Sequence, residues 1–295
     1  MVSIKPQKVL RLSDELAKKT PKLQGNYLLT EKVDGWFVSV PYNAATQTWG
    51  SPISSAGRLI PSMEHTSTWF NKLPKPTHSG MLIAEAYIPE VPFQIMNGYF
   101  NRSIGNYRCD DVIFKCHDFV QFGVASNALA RYTDVGLLLS ELNNPHADKI
   151  HRVPLLQVAE YNEKLWKDTF TKVTDEGGEG IVAKRATSLY SPGKRNADLV
   201  KLKLECTVDC LAVEVEIGTG EKGNLSVTLI SQRKNGIKVR TVINAHKYQK
   251  ILIEAPEVII GKVVTIKAME EYPDKQLRQP VFMYPRPDKD INDYD

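Results

Sequence analysis

Along most of this chain, apolar residues arrive in short runs broken by Gly, Pro, Asp and Asn, with polar residues recurring inside the runs. A period of two sets successive side chains on opposite faces of a sheet, so these runs predict strands. Leu28-Leu29-Thr30-Glu31-Lys32 is the first, and Asp34-Gly35 turns it into a second, Phe37-Val38-Ser39-Val40. A turn-rich stretch occupies residues 41–50. Residues 80–88 and 113–120 are further strands, each holding a charged or imidazole side chain within an apolar run. The acidic turn Asp175-Glu176-Gly177-Gly178-Glu179-Gly180 feeds Ile181-Val182-Ala183-Lys184. Beyond Lys194-Arg195 comes Leu199-Val200-Lys201-Leu202-Lys203-Leu204. Helical signals are fewer. Ser13 before Asp14-Glu15-Leu16-Ala17 caps a short helix that Pro21 ends. Residues 131–167 alternate helical and loop patterns and offer no chemistry.

The texture changes near Glu205. Short strands at 208–217, 225–231, 237–243 and 263–269 follow one another through turns, with one helix-like segment at 245–254. Asn235-Gly236 is a strong hairpin signal. Several strands and one helix in so short a span predict a small barrel of the OB type, often used on nucleic acids. Gly218-Thr219-Gly220-Glu221-Lys222-Gly223 spells a dinucleotide-binding pattern, but a strand follows it where such a site needs a helix N-terminus, so it reads as a hairpin.

The 295 residues suffice for two domains, and 42% hydrophobic with 24% charged is a globular composition. The net charge of +4 permits an anionic partner without requiring one. No apolar run approaches a membrane span and the N-terminus has no signal-peptide core, which predicts no membrane partner. The four cysteines form no paired Cys-x-x-Cys units, so they read as reduced thiols of the cytoplasm, not a zinc site or disulfide frame.

Candidate chemistry collects on the predicted strands. A lysine among β-forming residues is held on a pleated surface and can be aimed, and burial beside other cations would lower its pKa and free its lone pair for attack. Lys32 has that setting, although Lys32-x-Asp34-Gly35 alone also fits a strand ending in a turn. Glu85 is a single carboxylate in an apolar strand, costly unless partnered. His117 fits a ligand or a satisfied core residue. Lys201 and Lys203 are two apart and share a face, with the valine and leucines of that strand on the other. Their ammonium groups repel unless an anion lies between them, which suggests a phosphate site; a solvated sheet face is the alternative.

In order, the chain offers Lys32-x-Asp34-Gly35, Ser54-Ser55-Ala56-Gly57-Arg58, strand-borne Glu85, His117-Asp118, Glu179-Gly180-Ile181-Val182-Ala183-Lys184 and Lys201-x-Lys203. Near the end stands Leu277-Arg278-Gln279-Pro280-Val281-Phe282-Met283-Tyr284-Pro285-Arg286-Pro287-Asp288-Lys289. From about residue 26 to 289, this series resembles the nucleotidyltransferase motifs of the ATP-dependent DNA ligases, especially the small bacteriophage and viral type. The resemblance implies an α+β fold: an antiparallel-sheet adenylyltransferase domain (ATP-grasp-like) over residues 1–204, then an all-β OB-fold domain over 205–295. It implies that Lys32 attacks the α-phosphorus of ATP, expels pyrophosphate and carries AMP to the 5′-phosphate of a nick, which the 3′-hydroxyl then seals. Thr30, Glu31, Glu85, His117 and Lys184 would bind ATP, with Glu85 on the ribose and His117 stacked on adenine. Lys201 and Lys203 would hold the α-phosphate. Glu179, with Glu85, would hold Mg2+, for which Mn2+ can substitute. Asp34 would act near the nick hydroxyl. Arg286, Asp288 and Lys289 would clamp the β- and γ-phosphates, closing for the first step about a hinge after Lys203. Arg58, Arg102, Lys194 and Arg195 would meet DNA. The partner implied is nicked duplex DNA, gripped by a monomer in a bacterial or phage-infected cytoplasm.

Three positions depart from the family pattern. Phe37 stands where an arginine is usual, Ser55 replaces the arginine of Ser-Arg-x-Gly with Arg58 one step beyond the glycine, and His117 replaces an aromatic ring. Other activities of the same superfamily, an mRNA-capping guanylyltransferase or an RNA ligase, share several of these motifs. An inert OB-type nucleic-acid binder is the non-enzymatic alternative, opposed by intact Lys32, Glu179, Lys201 and Lys203.

Overall fold

The computed structural model describes residues 4–91, 93–101, 108–140, 144–219, 225–244, 246–272 and 274–295. The chain divides into two compact units, residues 1–203 and 204–295.

The first unit runs β1 (Lys8–Arg11), α1 (Leu12–Leu16), β2 (Asn26–Glu31), β3 (Trp36–Asn43), β4 (Thr48–Trp49), β5 (Ile53–Ser54), a 3-10 turn (Pro61–Thr66), α2 (Ser67–Phe70) and β6 (Gly80–Tyr87). It continues with α3 (Phe93–Phe100), β7 (Ile113–Gln121), α4 (Ala128–Leu138), β8 (Ile150–Arg152), β9 (Leu155–Glu160), α5 (Glu163–Asp175), β10 (Gly180–Arg185) and β11 (Arg195–Lys203). Two sheets result. One has the order β1-β11-β10-β2-β9; the other is β4-β3-β6-β7-β8, with β5 also paired to β3. All pairings are antiparallel except β1 with β11 and β7 with β8.

Alternation along each strand gives both sheets one helix-covered face. In the first sheet, Tyr27, Leu29, Ile181, Ala183 and Val200 pack with Leu12, Trp166 and Val173 of α1 and α5. In the second, Val38, Val40, Leu82, Ala84, Phe114 and Cys116 pack with Met63, Phe70 and Phe100. Fully burying one such large apolar side chain contributes about 1.5–3 kcal/mol, so these faces orient the strands. The residues between them in sequence, Leu28, Thr30, Val182 and Leu199 on one sheet and Phe37, Ile83 and Glu85 on the other, are left to line a cavity. Ala128 and Tyr132 of α4 pack on Leu28 and Ala186.

The second unit contains β12 (Cys206–Thr219), β13 (Leu225–Gln232), β14 (Lys238–Val242), α6 (His246–Glu254), a 3-10 turn (Pro256–Val258), β15 (Val263–Ala268), β16 (Glu270–Glu271), β17 (Leu277–Arg278) and β18 (Val281–Pro285). Its antiparallel sheet has the order β14-β13-β12-β15-β18. Val208, Cys210, Val227, Leu229, Val264, Ile266 and Phe282 form its core with Leu252 of α6. Asn235-Gly236 does sit in a hairpin: Gly236 takes φ +84° between β13 and β14. The Gly-x-Gly pattern runs into residues 220–224, outside the described residues; Thr219 and Leu225 on either side are antiparallel partners.

Strands β1, β8, β9 and β18 have no counterpart in the sequence reading. β9 carries Leu155, Leu156 and Val158 exposed on a sheet edge, so its apolar positions follow no buried period.

Candidate active site

Lys32 follows directly on β2. Its N–H donates to the carbonyl of Gly180 at 2.8 Å, and its Nζ lies 2.6 Å from Glu179 Oε2. One dipeptide therefore holds both the backbone and the amine of this lysine. Glycine is required there: Gly180 has φ +145°, and a Cβ would come within 2.2 Å of the Leu202 carbonyl oxygen. Gly35 has a matching role at the start of β3. A Cβ there would meet the Ala86 carbonyl oxygen at 2.9 Å and Glu85 Cβ at 3.0 Å, so the glycine lets β3 lie close against β6 at Glu85.

Between the two sheets lies a cavity of about 250 Å3. Thr30, Glu31, Lys32, Glu85, His117, Lys184 and Lys201 all line it, together with apolar Leu28, Ile83, Val182 and Leu199. Leu199 thus shares a face with Lys201, where the sequence reading set the leucines of that strand on the other face. Burial of Glu85, helped by the charges of Glu179 and Asp34 against that of Lys32, pushes its carboxyl up to about 8. Two anions and one ammonium crowd the same spot, and the neutral acid is the cheaper form.

His117 reaches the cavity through a β-bulge. Ile83 on β6 is opposite Asp118 while the next residue, Ala84, is opposite Cys116, so His117 is the extra residue of β7. A bulge re-aims side chains. Here it lets two consecutive residues, His117 and Asp118, face the same cavity. Burial first, and the Lys184 charge second, pull the imidazole down to about 4, so it is neutral at neutral pH.

Asp118 anchors a buried charge network beneath the cavity. Lys184 Nζ donates to Asp118 Oδ2 at 2.7 Å and to the His117 carbonyl at 3.0 Å. Arg131 Nε donates to Asp118 Oδ1 at 2.7 Å, and its NH1 to the Ser126 carbonyl at 2.5 Å. Burial raises the Asp118 carboxyl, but Lys184 and Arg131 outweigh it and hold it below the usual range. Residues 131–167 carry no recognisable chemical motif that would single out Arg131. The signal was present: Ala128, Arg131, Tyr132, Val135 and Leu138 recur at helical spacing, so the arginine sits on the buried stripe of α4. Tyr190, Gln7 and Val9 also line the cavity without having been singled out.

The lysine pair lies beside the nucleophile candidate. Lys203 is the register partner of Gly180, and Lys201 that of Val182. Burial, then the charges of Lys32 and Arg11, lower Lys201. Burial, then Lys201, Arg11 and Lys32, pull Lys203 down to about 8, with Glu179 opposing. Asp34 is half-buried in the link after Lys32.

Other candidates stand elsewhere. Arg58 is exposed on a turn closed by its own carbonyl and Ser54 N–H at 2.8 Å, and it does not line the cavity. Lys194 and Arg195 are exposed at the start of β11. Arg102 lies outside the described residues. Arg286 and Lys289 belong to the second unit, where both converge on Asp209 Oδ2, at 2.9 and 3.0 Å. Asp288 pairs with Arg286 at 2.6 Å, which holds its carboxyl down at about 2.

Among the described residues no cluster of three metal-ligating side chains is preformed. Magnesium does not need one, since it binds through one or two carboxylates plus water and phosphate oxygens. Glu179 Oε1 is buried with no hydrogen-bond partner, and Glu85 is an electrostatically uncompensated acid, so the donor set fits such an ion.

Residues 92–203 match the family described as ATP dependent DNA ligase domain. A DNA ligase of Methanosphaera stadtmanae is 34% identical over 93 residues, 30% of this chain and 16% of that protein. The match therefore spans about a sixth of the relative's length. Among solved structures, one from a study of DNA binding with a minimal scaffold by Lig E DNA ligases aligns over 97% of this chain and 100% of its own, with TM-score 0.69 and 17% identity. The ATP-dependent DNA ligase of bacteriophage T7, in complex with ATP, aligns over 95% of this chain and 98% of its own, with TM-score 0.53 and 17% identity. At such identities the shared property is the fold, an α+β domain followed by a smaller β-rich domain of the OB type.

Proposed function

We propose, from the premise that this chain belongs with the ATP-dependent DNA ligases, that it seals nicks in duplex DNA through an AMP carried on Lys32. The observation that carries the reading is the position of Lys32, its amine against Glu179 at one end of the cavity and two further lysines beside it.

ATP is the nucleotide substrate. Adenine enters the apolar slot of Leu28, Ile83, Val182 and Leu199, with the neutral His117 ring as a flat face. Glu85 receives the ribose. Lys32 gives up its proton to solvent, Nζ attacks the α-phosphorus, the bond to the β-phosphate oxygen breaks, and pyrophosphate leaves. Negative charge grows on the equatorial oxygens, and Lys201 and Lys203 are preorganised cations for it. A divalent ion held by Glu179 and Glu85, normally magnesium, would neutralise phosphate charge there. Arg286 and Lys289 act on the β- and γ-phosphates, and so in this step only. AMP then passes to a nick 5′-phosphate, and the 3′-hydroxyl, assisted by Asp34, displaces it. Arg58, Lys194 and Arg195 are exposed cations suited to the DNA backbone. The protein acts as a monomer on nicked duplex in the cytoplasm; no helix of the described residues is long and apolar enough to cross a membrane.

The test is direct. Wild-type protein incubated with labelled ATP and magnesium should retain acid-labile label that pyrophosphate releases, and Lys32→Ala should retain none. Label from GTP alone would indicate a capping enzyme. Label from neither would leave an inert binder. A labelled protein that does not seal a nicked duplex would remove DNA ligation from the reading.

A further inference from the structure

The cavity has two ends, set apart along the strands of one sheet. At the first, Lys203 is the register partner of Gly180, whose carbonyl accepts from the Lys32 N–H. At the second, Leu199, Lys184 and Leu28 are partners across β11, β10 and β2. The two rungs are four residues apart on every strand, about 13 Å. That is close to the reach of a nucleotide from its α-phosphate to the far edge of its base.

Polar groups at the second end are largely committed to one another. Lys184 is bonded to Asp118 at 2.7 Å, and the Tyr132 hydroxyl donates to the Val153 carbonyl at 2.7 Å. The Tyr190 hydroxyl accepts from the Gln7 N–H at 3.1 Å and donates to the Lys5 carbonyl at 3.3 Å. Gln7, brought to this end by Tyr190, differs. It lines the cavity, its Oε1 accepts from the Ser191 N–H at 3.4 Å, and its Nε2 is buried with no acceptor among the described residues. A backbone N–H can only donate, so Ser191 fixes which end of the amide is the oxygen. Fastening β1 to residues 190–194 would account for Oε1. Backbone groups already do that work: Gly193 N–H donates to the Pro6 carbonyl at 3.0 Å and Lys8 N–H to the Lys194 carbonyl at 2.9 Å. Neither role accounts for Nε2, since a buried donor destabilises the fold until something supplies an acceptor.

We propose that the Gln7 amide reads the base of the nucleotide, with Nε2 donating to a ring nitrogen of adenine and Oε1, through its second lone pair, accepting from the 6-amino group. The assignment rests on the adenine slot of the reading above and names what makes that slot choose its base. Glutamine reads adenine with the same two-pronged contact in DNA grooves. Guanine has an oxygen at position 6, which would face Oε1 as acceptor against acceptor. GTP would then leave the amide unpaired, and a site built around a hydrogen bond rejects a ligand that cannot make it.

The experiment measures equilibrium affinities for ATP, GTP and purine riboside triphosphate, which lacks the 6-amino group, in EDTA so that no adduct forms. Wild type should prefer ATP to either by roughly five- to a hundred-fold. Gln7→Glu keeps an oxygen for the Ser191 N–H and replaces the donor by an acceptor; Gln7→Leu removes both. Each should bring ATP and GTP within about threefold of one another, and Gln7→Leu should also stop distinguishing ATP from the analogue. If Gln7 only fastens β1, its variants weaken all three nucleotides alike, the wild-type ratios persist, and the assignment is overturned. A wild type that binds the three alike overturns it too. These affinities require no adduct on Lys32. Ratios that collapse with Gln7 uphold the assignment even if Lys32 takes no label, and label on Lys32 does not save it if the ratios stay fixed.

Discussion

His117 ties the chemistry of one residue to the stability of the molecule. In the unfolded chain its imidazole takes a proton near 6.5, but in the fold not until about 4. Between those values the unfolded chain binds more protons, so stability must fall as pH falls through that window. The protonation difference amounts to about 3 kcal/mol when complete. His117→Phe removes it. Denaturant unfolding at a series of pH values should therefore show wild type losing that much more than the variant between pH 7 and pH 4. The same variant should keep lysyl-AMP formation, while His117→Ala should weaken it, because a flat face is wanted and not a proton. Equal damage from both would assign imidazole chemistry to the position. Candidate residues were legible in the sequence where the expected chemistry demands a type: a strand-held lysine, a lone carboxylate in an apolar run, paired cations. It was not legible where function depends on what lies behind. Arg131 falls on the apolar stripe of α4, but the carboxylate it is buried against, Asp118, is supplied by a strand the stripe does not reveal, and Arg11 meets Lys201 only once β1 has paired with β11.

At the scale of elements, apolar runs announced β2, β3, β6, β7, β10 and β11 because each has one face packed under helices. Edge strands gave no such signal, since β1 and β9 have only one neighbour and bury little. The bulge in β7 was invisible for a different reason. It is a mismatch of length between two strands, and neither strand alone contains it. Glycines offered the reverse case, legible as turns but not as contacts. Gly180→Ala would drive a Cβ to 2.2 Å from the Leu202 carbonyl oxygen at a left-handed φ. The strand pair must part to accept it, at a cost of about 2–4 kcal/mol by urea unfolding. Lysyl-AMP formation should fall with it, since the Lys32 amide would lose its acceptor. Gly98→Ala on α3, where an added Cβ meets nothing within 4 Å, should be neutral or slightly stabilising. Comparable losses from the two would show that the close β10–β11 approach is not what holds Lys32.

For the whole molecule, the candidate residues are distributed over two units. Arg286 rests on Asp209 and Asp288. If it serves pyrophosphate departure, Arg286→Ala should slow lysyl-AMP formation by roughly thirty- to a thousand-fold. Sealing of a nick already bearing AMP should change little, and equal losses in the two steps would reassign the residue to folding or DNA binding. The strand order of the first unit carries a consequence of another kind. The sheet containing β3, β6 and β7 joins strands that follow one another along the chain, so it can assemble from near neighbours. The sheet of β1 and β2 waits for β10 and β11, which leave the ribosome more than 150 residues later. Contacts of such long range form late. Refolding followed by pulsed hydrogen exchange should then protect the amides of β6 and β7 first and those of β2 and β10 last. The nascent protein would possess the wall bearing Ile83, Glu85 and His117 well before Lys184 and Lys201 arrive to face it, and the cavity would stay open on that side until the final strand of that sheet had arrived.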